Sequence, residues 1–171
     1  MVLRRATADD TALLAALGAR TFTEAFMGVH DPGRVARYAA RSFAEPRIAE
    51  QLAQPGAAFL LGVDPTTARV VAYAHVRPAP ATMVPAERPV ELARLYVELP
   101  LTGRGIGSRM MAAVLAHARA RAHDRIWLGV WEHNRAAQRF YRRWGFVPVG
   151  QIAFVLDDEV QTDHVLSRPV G

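Results

Sequence analysis

Residues 101–111 read LTGRGIGSRMM, and they constrain the fold more than any other stretch of the chain. Glycines at 103, 105 and 107 follow the strand-like segment VELARLYVEL and lead directly into a helical pattern that runs to about Arg121. Glycine reaches backbone conformations closed to other residues and lets a ligand approach with no Cβ in the way. The first N–H groups of a helix lack intrahelical acceptors, and the helix dipole favours negative charge there. Strand, glycine cluster and helix start in this order therefore describe an anion site. A plain strand-to-helix turn is the alternative, although three alternating glycines exceed what a turn needs. The spacing excludes two familiar phosphate loops. No lysine stands where GxxxxGK[ST] requires one, and a dinucleotide fingerprint counted from Gly103 puts Ser108 at its third glycine.

The segments around the loop set the fold class. VLRRAT reads as a strand and TALLAALGARTFTEAF as an amphipathic helix, with weaker helices near 35–43 and 48–54. PGAAFLLGVD and RVVAYAHVRP read as an antiparallel pair around PTTA, and APATMVPAERP as a proline-rich loop. VELARLYVEL alternates as a strand and ends at Pro100. After the glycine segment and its helix come the strand RIWLGVW and the helix NRAAQRFYRRW, which stops at Gly145. Two strands joined through DDE close the chain. The order predicts an α/β fold: a mixed, mostly antiparallel sheet of six to seven strands flanked by about four helices, one domain over residues 1–171.

Composition narrows the function classes. The chain has no cysteine, which excludes disulfides, thiolate metal sites and a cysteine nucleophile. Its histidines, including His75, His117, His123 and His133, show no metal-ligand spacing, so no metal is expected. The net charge of +5 is spread as scattered arginines without a basic run, which argues against a nucleic-acid partner. No apolar run approaches the roughly 18 residues of a membrane span, and no signal peptide is visible. The expectation is a cytoplasmic protein.

Three blocks taken together, VELARLYV, LTGRGIGSRMM and NRAAQRFYRRWGF, resemble the GNAT superfamily of acyl-CoA-dependent N-acetyltransferases. The family's later-helix pattern, N-x-x-A-x-x-F-Y-x-x-x-G-F, is matched at Asn134, Ala137, Phe140, Tyr141, Gly145 and Phe146. Its phosphate-loop pattern, Q/R-x-x-G-x-G/A, is matched at Gly105 and Gly107, with Thr102 standing at the Q/R position. A narrower likeness, in WLGVWEHN and the acidic DDEVQTD hairpin, is to the PaiA group of polyamine acetyltransferases. The resemblance implies that the anion is the pyrophosphate of acetyl-CoA, held by backbone N–H groups of Gly103, Arg104, Gly105, Ile106, Gly107 and Ser108. The pantetheine arm would then lie along Leu95, Tyr96 and Val97 like an added strand. Asn134, Ala137 and Tyr141 would meet its far side, and Thr102 and the Arg104 side chain would be further contacts. It also implies a small amine acceptor and leaves a homodimer open.

Acyl transfer to an amine needs a base, an aligned thioester, an oxyanion donor and a proton for the leaving thiolate. The resemblance gives Tyr141 as the acid, with a packed aromatic as the alternative, and the Val97 N–H as the oxyanion donor. Strand alternation places residues 91, 93, 95 and 97 on one face, which makes Glu91 the candidate base. A solvated or salt-bridged strand-entry charge is the equal alternative for Glu91. Glu98, on the opposite parity, reads as surface. The acidic set Glu24, Glu91, Asp157, Asp158, Glu159 and Asp163 could receive the ammonium groups of a polyamine such as spermidine or spermine. Other readings are acetylation of a protein N-terminus or another small amine, and a non-catalytic coenzyme A-binding regulatory domain.

Overall fold

The computed structural model describes residues 1–80 and 83–171. Residues 81–82, part of the expected proline-rich loop, lie outside the described residues. Seven strands form one sheet: β1 (Val2–Arg5), β2 (Ala58–Val63), β3 (Val70–Arg77), β4 (Pro89–Val97), β5 (Arg125–Trp131), β6 (Val147–Leu156) and β7 (Glu159–Pro169). Their spatial order is β1-β2-β3-β4-β5-β7-β6. Among the described residues only β4 and β5 run parallel; the other neighbours are antiparallel. The helices are α1 (Thr11–Phe26), α2 (Pro32–Ser42), α3 (Glu45–Ala53), α4 (Ile106–Ala120) and α5 (Arg135–Arg143). Among the described residues there are thus five α-helices; the two weaker helical stretches fold as α2 and α3, each with a proline in its first turn. No helix of the described residues is long and apolar enough to cross a membrane.

The sheet is covered on both faces. On one, α4 buries Met110, Met111, Val114 and Leu115 against Val90, Leu92, Ile126 and Leu128, and α5 adds Phe140, Tyr141 and Trp144 at the edge. On the other, α1 to α3 bury Leu14, Leu17, Phe22, Val35 and Ile48 against Phe59 and Tyr73. Burial of such side chains stabilises by about 1.5–3 kcal/mol each, so apolar face-to-sheet packing fixes the helices.

One irregularity governs the site. Val76 pairs with Leu92, but the next β3 residue, His75, pairs with Arg94, so Ala93 is an extra residue on β4. A bulge of this kind reverses the alternation beyond it. Val90 and Leu92 face α4, and after the bulge Leu95 and Val97 do so. Glu91 lies on the opposite face, where it accepts from Arg77 Nε at 2.6 Å. The expectation that 91, 95 and 97 share a face is therefore corrected. β4 also ends at Val97, short of Glu98. Glu98 is not a surface residue: it is buried, it accepts from Arg20, and it accepts from Arg69 at 3.1 Å.

His75 predicts how stability depends on pH. Its ring stacks on Phe59, 4.1 Å between centroids, and neither ring nitrogen has a hydrogen-bond partner among the described residues. Burial, with Arg94 and Arg77 nearby, pushes its pKa down from 6.5 to about 3. Below its ordinary pKa the unfolded chain takes up a proton that the folded chain refuses. Stability from this group is complete above pH 6.5 and is lost as pH falls toward 3, at up to about 1.4 kcal/mol per pH unit. Urea unfolding at pH 7 and pH 5 should show this loss, and His75→Leu should flatten the slope. An equal slope in the variant would assign it to other groups.

Candidate active site

The ladder between β4 and β5 is short. It pairs Pro89–Glu91 with Arg125–Trp127 and goes no further among the described residues. Beyond it β4 stays bonded to β3 as far as Val97, while β5 stays bonded to β7 as far as Trp131. The two strands part, and a cavity of about 500 Å³ opens at the gap. It is lined by Leu95 and Tyr96 of β4, Gly129 and Trp131 of β5, Asn134, Ala137 and Tyr141 at α5, and Asp163 of β7. Phe22, Phe26, Tyr38 and Phe154 line its α1–α2 side. The structure thus brings Leu95, Tyr96, Asn134, Ala137 and Tyr141 to one cavity. Glu91 is not among the residues that line it, because the strands still pair there and its carboxylate is taken by Arg77.

The glycine loop lies at the end of the same β4 segment. Gly103 and Gly105 adopt φ of 76° and 78°, left-handed values that favour glycine. Gly107 is under no such constraint: a Cβ there would make only ordinary contact, 3.6 Å from Phe140 and 4.0 Å from Val97. Gly105 caps α4, and the first helical backbone bond runs from the Arg109 N–H to the Gly105 carbonyl at 3.1 Å. The backbone N–H groups of residues 103 to 108 have no acceptor among the described residues. That is a row of donors at a helix N-terminus, matched to an anionic group. Thr102 does not extend the row: its hydroxyl donates to the Leu99 carbonyl at 2.8 Å and closes the turn before the loop.

Asn134 is held by its own helix. Its side-chain oxygen caps α5 by accepting from the Ala137 N–H at 3.0 Å. The Tyr141 ring packs edge-on to Phe140 and Phe146, at 5.3 and 5.8 Å between centroids. Its hydroxyl has no hydrogen-bond partner among the described residues, and burial pushes the phenol up to about 12. It therefore keeps its proton at neutral pH and can donate it.

The acidic hairpin is not open to a ligand as expected. Arg34 of α2 donates to Asp158 at 2.6 Å and to Glu159 at 3.1 Å, while Arg37 and Arg41 hold Asp157, each at 2.7 Å. The arginine pairings hold the Asp157 and Asp158 carboxyls below the usual range. Glu24 lies 4.0 Å from Arg20. Asp163 alone of the predicted acidic set lines the cavity. Its neighbour Gly129 carried a signal that sequence reading passed over, since an isolated glycine in a strand marks a close approach.

Comparison with known proteins bears on the family and the fold. The profile described as Acetyltransferase (GNAT) family matches residues 22–146. An uncharacterized N-acetyltransferase of Mycobacterium tuberculosis is 34% identical over 159 residues, 93% of this chain and 97% of its own length. The spermine/spermidine N(1)-acetyltransferase of Bacillus subtilis is 35% identical over 66 residues, 38% of this chain and 43% of that one. The crystal structure of the PaiA N-acetyltransferase from Thermoplasma acidophilum, in complex with coenzyme A, superposes with a TM-score of 0.79 over 98% of both chains at 14% identity, a likeness of fold. On the family match and the full-length relative, the chain belongs to the GNAT family of N-acetyltransferases, an acyltransferase with acetyl-CoA as its co-substrate.

Proposed function

We propose that this protein transfers the acetyl group of acetyl-CoA to a primary amine by direct attack within a ternary complex. The observation that carries the reading is the parting of β4 from β5 between two features. On one side lies the row of N–H groups at residues 103 to 108; on the other lies the cavity lined by Tyr141. In this reading the loop holds the pyrophosphate, with Arg104 beside it. The open edge of β4 at Leu95, Tyr96 and Val97 takes the pantetheine arm by backbone pairing. Asn134 and Ala137 border its far side. The Val97 N–H supports the oxyanion, and Tyr141 gives a proton to the departing sulfur. Glu91, paired with Arg77 and outside the cavity lining, is left out of the proton path.

The acceptor would enter from the α1–α2 side, against Phe22, Phe26, Tyr38 and Trp131. That lining suits an amine on an apolar body. A polyamine acceptor is supported by the Bacillus subtilis relative. The engagement of Asp157, Asp158 and Glu159 by α2 arginines counts against it, since distal ammonium groups would then lack carboxylate partners. An amine panel with acetyl-CoA, read by free-thiol release, tests both. We expect 2-phenylethylamine to release thiol faster than spermidine. Preference for spermidine would restore the polyamine reading. Coenzyme A binding with no thiol release for any amine or N-terminal peptide would leave a regulatory coenzyme A-binding domain.

A further inference from the structure

Asp163 stands at mid-strand in β7, opposite Trp131 of β5 and Ile152 of β6. Its carboxylate has no hydrogen-bond or ion-pair partner among the described residues, and it lines the cavity where β4 and β5 part. The wall beside it is Gly129, where a Cβ would come within 3.1 Å of Asp163 Oδ2. A side chain there would cover the carboxylate; glycine leaves it reachable. Trp131 and Ile152 flank it on the neighbouring strands, and aromatic residues of α1 and α2 line the same cavity. A lone carboxylate in such surroundings is costly to keep charged unless a ligand brings a cation to it.

We propose that Asp163 receives the ammonium group of the acceptor and takes its proton, so that the amine attacks from beside Gly129. The proposal rests on the acetyltransfer reading above. The balance is simple. R–NH3+ gives one proton to the Asp163 carboxylate. The nitrogen lone pair then forms the C–N bond to the acetyl carbonyl carbon, and the C–S bond breaks. The second proton lost by nitrogen replaces the one that Tyr141 gives to sulfur, and Asp163 releases its proton to solvent. The products are the N-acetyl amine, coenzyme A thiol and one proton.

Burial raises Asp163 from 3.8 to about 6, opposed by His164 and assisted by Glu132. That places it where a base can exchange protons near neutral pH. Other titratable or charged groups around this region are Arg94, His133, Arg135, Tyr38 and Tyr96, which line the cavity, Tyr141 at α5, and His30, whose ring lies 4.6 Å from Trp131. His30 is the group to exclude, because it contacts Gln161 at 3.0 Å and sits on the same side of the sheet.

The test uses the whole chain with acetyl-CoA and 2-phenylethylamine. Wild type should show an acid limb in kcat/KM with an apparent pKa near the Asp163 value of about 6. Asp163→Asn should lower kcat/KM about a hundredfold at pH 7 and abolish that limb. Its affinity for coenzyme A should match wild type, and its Tm should be equal or higher, because a desolvated charge has gone. His30→Gln should keep the limb. A limb lost in His30→Gln and retained in Asp163→Asn would overturn the proposal, as would an Asp163→Asn enzyme of wild-type activity. Gly129→Ala, which crowds Oδ2, should also reduce kcat/KM while coenzyme A affinity holds; full activity there would overturn the direction of approach. If wild type released no thiol with any amine, the acetyltransfer reading itself would fail, and Asp163 with it.

Discussion

Tyr141→Phe is expected to lower kcat by about a hundred- to a thousandfold, the range that a positioned proton donor supplies, while the dissociation constant for coenzyme A stays near that of wild type. The ring itself is structural: it packs edge-on to Phe140 and Phe146, and phenylalanine preserves that packing. The hydroxyl is not structural, because no group among the described residues bonds to it. Its removal therefore costs the fold no hydrogen bond, and Tm should be unchanged. With the phenol pushed up to about 12, the proton is present across the working range. The variant should thus lose rate evenly from pH 6 to 9, with no shift in the acid limb assigned to Asp163 at about 6. Steady-state kinetics beside calorimetric titration with coenzyme A separate the two effects. Unchanged turnover would remove Tyr141 as the acid, and a parallel loss of affinity would make it a binding residue instead.

The elements were legible because their signals are local. Helix α1 runs over TALLAALGARTFTEAF, as its apolar spacing predicts, and Gly145 ends α5 with a φ of 80°. The left-handed conformations at Gly103 and Gly105 follow from the glycines themselves. What escaped was set by partners distant in sequence. Nothing in LARL marks Ala93 as an extra residue; the bulge is defined only by the register against β3, and it leaves Glu91 on the opposite face from Leu95 and Val97. Likewise DDE has the composition of an exposed turn. Its ion pairs reach back to Arg34, Arg37 and Arg41, which sit on one side of α2 and mean nothing until α2 lies over the hairpin. Glu98 was misplaced because its parity puts it on the α1 side beside Tyr96, where Arg20 and Arg69, both distant in sequence, pair with its carboxylate. Asp163 was visible as an acid in a strand; that it stands apart from the paired acids is a property of the packed sheet.

Gly105→Val should weaken coenzyme A binding by about 4 kcal/mol, or about a thousandfold, if two charge-assisted hydrogen bonds of about 2 kcal/mol each are lost. The reason is conformational. Gly105 holds a φ of 78°, and a β-branched residue avoids that region at a cost of at least about 1–2 kcal/mol. Steric crowding is not the cause, since a Cβ at this position meets nothing within 4 Å. Valine would instead turn the backbone away from the left-handed state, and the N–H groups of Ile106, Gly107 and Ser108 would no longer converge at the start of α4. The helix would survive, anchored by Met110, Met111 and Val114 in the core, so folding and binding can be told apart by Tm and calorimetric titration. Gly28→Val is the control. Gly28 has a φ of 76° and the same empty surroundings but lies outside the loop. It should show a similar small loss of stability with coenzyme A affinity intact. If Gly105→Val bound coenzyme A as tightly as that control, the phosphates would sit elsewhere, and the donor row at residues 103 to 108 would have lost its ligand.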